Sequence, residues 1–93
     1  MGLILCIGDV MLDVVVRINT EVNYGSDTPA KISTHGGGAA ANVASWLAFA
    51  SHEVQLVSRV GDDPAGTAVM AELDKLGVQH GNIVIQGAQT GVV

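Results

Sequence analysis

The stretch HGGGAAANVASW (residues 35–46) sets a glycine run against an alanine-rich helix, and its reading decides the fold. A phosphate-cradling P-loop needs a lysine and a Ser/Thr after its last glycine. Alanines and Asn42 follow here instead. A dinucleotide fingerprint needs its glycines directly after the first strand. The first strand-like run, residues 3–8, lies almost thirty residues earlier. What remains is a loop for close approach. Glycines 36–38 let backbone N–H groups near a ligand because no Cβ intervenes. The helix that follows adds its N-terminal N–H groups, and Asn42 both donates and accepts. The alternative is structural: glycines for tight helix–sheet packing, with Asn42 as the helix cap. The residues alone leave both readings open.

Outward from this stretch, LILCIG (residues 3–8) is a continuous apolar run that predicts a buried central strand. MLDVVVRI (11–18) predicts a second extended piece, a turn-rich segment spans 19–30, and KISTH (31–35) alternates like a half-exposed strand. Together they describe a β-flap on an α/β body. A helix from about Ala40 to Ala50 follows, with Val43, Leu47 and Ala50 on one side and Trp46 and Phe49 widening the stripe, so nearly all of it should be buried. VQLVSRV (54–60) predicts one strand. The next helix is well punctuated: Asp63 as N-cap, Pro64 at the first position, a buried face of Ala65, Val69, Leu73 and Leu76, and Gly77 as the stop. NIVIQ (82–86) predicts a further strand. The alternation argues for a doubly wound parallel sheet.

Composition narrows the function. The chain has 93 residues, 48% of them hydrophobic, enough for one small buried core. The net charge is −5, and the four cations, Arg17, Lys31, Arg59 and Lys75, are scattered. No basic stripe for nucleic acid is present, and an anionic membrane surface is disfavoured for the same reason. No run is long enough to span a bilayer. Cys6, the sole cysteine, reads as a small buried hydrophobe in a cytoplasmic protein. His35, His52 and His80 lack metal-ligand spacing. Asp9 and Asp13 sit at the end of the first strand, where ligands bind in open α/β sheets and a carboxylate can accept two sugar hydroxyls. Asp13, between two apolar runs, should be partly buried. Asp9 reads equally as a solvated turn residue. The final TGVV (90–93) looks like the start of another strand, so the chain is expected to be part of something longer.

GDVMLD, the flap, GGGAAANVA and RVGDDPAGTAVMAELDKLGV, in this order, resemble the N-terminal portion of the ribokinase-like (PfkB) carbohydrate kinases across essentially the whole chain. The resemblance implies a ribokinase-like doubly wound, Rossmann-like α/β fold with a projecting β-lid, incomplete here: core at about 1–13 and 35–89, lid at about 14–34, a further lid strand at 90–93. It implies transfer of the γ-phosphate of ATP to a sugar hydroxyl, with Mg²⁺. Asp13, Gly37, Gly38 and Asn42 would bind the sugar, with Asp9 and Met11 as possible further contacts, and the lid would also form a homodimer. Met11 and Ala39 depart from ribokinase proper, which carries asparagine and lysine there, so ribose is not implied. Ser51 stands where a helix-ending glycine is common. The family's catalytic aspartate, in a Gly-Ala-Gly-Asp motif, and its nucleotide and Mg²⁺ sites belong to the C-terminal portion, so the 93 residues alone are expected to be inactive. The alternative is a non-catalytic ligand-binding or dimerisation module on the same half-fold.

Overall fold

The run at residues 3–8 forms β1 (Ile4–Ile7), which pairs in parallel with β4 (Val54–Val57); β4 pairs in turn with β6 (Gln79–His80). The computed structural model describes residues 2–81 and 83–93. β1 lies at the edge of this three-stranded sheet, with order β1-β4-β6, and is not the buried central strand expected. Ile4 and Cys6 are half-buried against the core, while Leu5 and Ile7 are 55% and 76% exposed. The period-2 alternation of a strand explains the split: helices cover one face of this sheet and leave the other bare.

Two helices form that cover, α1 (Ala39–Phe49) and α2 (Pro64–Lys75). Val54 and Leu56 of β4, Ala41 and Ala44 of α1, Val69 and Leu73 of α2, with Val10, Val60 and Val78, make up the core. The expected burial of nearly all of α1 is corrected here: Val43, Trp46 and Phe49 point outward. The helix has two apolar stripes, and the alanine stripe faces the sheet because its small side chains allow close approach. On α2, Leu76 is likewise more exposed than its spacing predicts, since the buried face turns through Gly66, Val69 and Leu73.

The single strand expected over 54–60 is two. β4 ends at Val57, and β5 (Arg59–Gly61) leaves that sheet to pair in parallel with β7 (Ile83–Ile85). Ser58 sits buried at the break, and its carbonyl accepts from the N–H of Ile83 at 2.9 Å. Of the strand expected over 82–86, Asn82 lies outside the described residues.

β2 (Met11–Arg17) and β3 (Lys31–Gly37) form an antiparallel hairpin, in register from Met11 opposite Gly37 to Arg17 opposite Lys31. Its other edge carries residues 91–93, where Leu12 and Val92 form a parallel bridge. The hairpin projects: the radius of gyration is 15.8 Å, against roughly 12 Å for a compact domain of this length. Among the described residues no helix is long and apolar enough to cross a membrane.

Candidate functional site

The carboxyl ends of β1 and β4 open onto a recess of about 540 Å³ lined by residues 7–10 of the β1–β2 turn, Val57, Ser58, Arg59 and Ile83. Ligands of open α/β sheets bind at such strand ends. The glycine run does not line the recess, but Gly38 packs against the backbone of Asp9 and Val10, which do. Gly38 is the N-cap of α1, with φ +96°, and offers no side chain to the helix's free N–H groups. Asp9 supplies what is missing. Its Oδ1 accepts from Ala40 N–H at 3.2 Å, and its carbonyl accepts from Ala41 N–H at 3.2 Å. The Ala40 N–H beside it holds the Asp9 carboxyl below the usual carboxylate range. A Cβ at residue 38 would lie 2.8 Å from the Asp9 carbonyl oxygen and 3.0 Å from Val10 Cα, so glycine is required there for space as well as for φ.

Asp13 is half-buried in the middle of β2, opposite His35. Its carboxylate lies against the backbone of Gly37, where a Cβ would come within 2.6 Å of its Cγ. No hydrogen bond from another side chain or a backbone N–H reaches this carboxylate among the described residues. Asp13, Gly37 and Gly38 are therefore brought together, and the Asp9 carbonyl packs against Gly38. Met11 faces Gly37 across the ladder and packs against Gly91. Asn42 lies in the first turn of α1, exposed, beside a crevice it shares with Gly36, Ser45 and Glu72. No hydrogen bond of its side chain occurs among the described residues. It is not the helix cap, a role Asp9 takes instead.

Three structural roles escape a reading of the sequence. Asp9 emerges as the support of α1. Glu72, on α2, accepts a hydrogen bond from Gly36 N–H; in sequence nothing separates it from Asp74, since the two acids flank buried Leu73 alike. Thr90 is buried and hydrogen-bonded to Asp63 through both its N–H, at 2.8 Å, and its hydroxyl, at 2.6 Å. Asp63 also caps α2 through Gly66 N–H at 2.8 Å, as expected. It thus holds residues 91–93 beside β2.

The arrangement suits hydroxyls and not a polyphosphate. The first turn of α1 already carries the Asp9 carboxylate, and Asp13 adds a second negative charge beside Gly37. A phosphate there would meet like charges at short range. Among the described residues no group of three or more metal-ligating side chains converges.

A family model described as pfkB family carbohydrate kinase matches residues 1–93. The chain is 34% identical over 91 residues to an ATP-dependent ribose-1-phosphate kinase of Halopiger xanaduensis, covering 96% of this chain and 31% of that protein. A carbohydrate kinase from Agrobacterium tumefaciens superposes with a TM-score of 0.88 at 26% identity, over 99% of this chain and 30% of the other. A fructokinase with bound ATP from Xylella fastidiosa gives 0.81 at 28% identity, over 97% of this chain and 28% of the other. The chain spans about three tenths of the length of these relatives.

Proposed function

Because the chain belongs to the pfkB family of carbohydrate kinases, we propose that it supplies the sugar seat and lid of an enzyme that transfers the γ-phosphate of ATP to a sugar hydroxyl. One observation carries this reading: an Asp13 carboxylate without a hydrogen-bond partner among the described residues, set against the bare backbone of Gly37. A carboxylate has about four acceptor sites and can take two neighbouring hydroxyls. Gly37 and Gly38 give backbone access, and Asn42 adds a group that donates to one hydroxyl and accepts from another. Asp9 serves the seat by fixing α1, and Met11 forms its wall against Gly91.

The β2–β3 hairpin is the lid, extended on its free edge by residues 91–93. Closing it over the sugar excludes water, which favours transfer over hydrolysis of ATP. Val14, Val16 and Ile32 are exposed on the hairpin, which suits a homodimer contact through the lid. The catalytic base, the nucleotide pocket and the Mg²⁺ site belong to the C-terminal portion that completes the domain. A cytoplasmic location, where ATP is supplied, belongs to the same reading.

The test is Asp13→Ala in the complete protein, assayed with a panel of sugars. Hydrogen bonds to a charged group contribute about 1.5–3 kcal/mol, so the sugar KM should rise roughly ten- to hundredfold, with the KM for ATP within about twofold. An unchanged sugar KM overturns the assignment of Asp13. Absence of turnover by the unsubstituted complete protein overturns the kinase reading in favour of a binding or dimerisation module.

A further inference from the structure

We propose that Glu72 is a positioning residue for the sugar seat, an anchor that holds the glycine run to α2 from behind. The inference rests on the sugar-seat reading above. β2 offers its two edges alternately. Leu12 and Val14 donate to Gly91 and Val93, and Val93 donates back to Leu12. Met11, Asp13 and Val15 therefore bond to their partners in β3, Gly37, His35 and Ser33. It follows that the N–H of Gly36 points away from β2, on the outer edge of the hairpin. An edge N–H at a half-buried position needs a partner, and the Glu72 carboxylate provides it.

The fit is close on both sides. A Cβ at residue 36 would lie 3.3 Å from Glu72 Cδ and nearer still to Oε2, so a side chain at 36 would push the Glu72 carboxylate aside. Glu72 projects from a helix whose Val69 and Leu73 are locked in the core, so its own position is well determined. The same carboxylate borders the crevice that holds Asn42, next to Ser45. One side chain thus sets the last peptide before Gly37 and shares a wall with Asn42, and it is not among the residues that line the recess. The sequence spacing between anchor and loop, 36 residues, hides the link from any local reading.

The test compares Glu72→Ala, Glu72→Gln and Gly36→Ala in the complete protein. Glu72→Ala should raise the sugar KM roughly tenfold, with kcat and the ATP KM changed less than about threefold. Glu72→Gln keeps an acceptor oxygen and should recover the sugar KM to within about threefold of the unsubstituted protein. Gly36→Ala, which displaces the same carboxylate from the other side, should act like Glu72→Ala. In isotope-labelled protein the amide signal of Gly36 should move in Glu72→Ala, whereas those of β4 should not. A Gly36 signal that stays in place overturns the anchor, as does an equal loss of kcat and sugar affinity that glutamine fails to rescue. If the unsubstituted protein phosphorylates no sugar, the functional reading falls, and the Gly36 signal alone decides on the anchor.

Discussion

Ser51 and Gly77 occupy the same place in two helix ends, one with a Cβ and one without. After α1, the N–H groups of Ser51 and His52 reach back to the carbonyls of Ala48 and Leu47; after α2, those of Gly77 and Val78 reach Asp74 and Leu73. Both are Schellman closures, which place the first residue beyond the cap in the left-handed region. Gly77 has φ +79° and Ser51 φ +70°, the latter alone among non-glycine residues with positive φ in the described chain. That conformation costs an L-residue with a Cβ about 1–2 kcal/mol. Ser51→Gly should therefore stabilise the complete protein by about 1 kcal/mol after the added freedom of the unfolded glycine is subtracted. Gly77→Ser should destabilise it by a similar amount. The urea midpoints of the two variants check both signs. Asp63, Pro64 and Gly77 are legible in sequence because their reasons lie within a few residues. Asp9 and Glu72 are not, because their partners stand 31 and 36 residues away.

At the scale of elements, Asp63 joins α2 to the segment that flanks β2. The Thr90 hydroxyl, then its N–H, then Gly66 N–H hold the Asp63 carboxyl below the ordinary 3.8. A carboxyl with a depressed folded pKa adds stability that is complete above the unfolded value and is lost as pH falls through the folded one. The latch should thus be intact at neutral pH and weaken below about pH 4. Asp63→Asn should lower the urea midpoint at pH 7, and the gap from the unsubstituted protein should narrow at pH 3. A gap that is constant with pH refutes the ionic part of the latch. The same scale shows where periodicity stops being informative. α1 carries two apolar stripes of similar strength, and hydrophobicity does not say which one meets the sheet. The run at 54–60 reads as one strand because nothing in its pattern marks the change of partners at Ser58; that change comes from Ile83, more than twenty residues on.

For the whole molecule, the one-sided cover of the sheet is the governing fact. Leu5, Ile7, Trp46 and Phe49 are all more than half exposed. Apolar surface exposed on the bare sheet face and on the outer side of α1 promotes association. The isolated 93-residue chain should sediment as concentration-dependent oligomers, and the double substitution Ile7→Lys with Trp46→Lys should shift it toward monomer without loss of helical signal. A monomer at all concentrations would mean that these exposed residues do not drive association. While the grouping of Asp13 with Gly37 comes only through the family resemblance, the fold class and the flap are legible in sequence, because strand periodicity and the order of the motifs carry them. The bare face is less so, since a strand buried on both sides and one awaiting a second layer have the same composition. The pairing of β2 also dictates an order of assembly. Leu12 meets Gly36 across 24 residues of chain, but Val92 across 80. Closing the longer loop costs about 1 kcal/mol more in chain entropy. The hairpin should therefore zip first, and the third strand should dock last, once Asp63 has seized Thr90 and shortened the search.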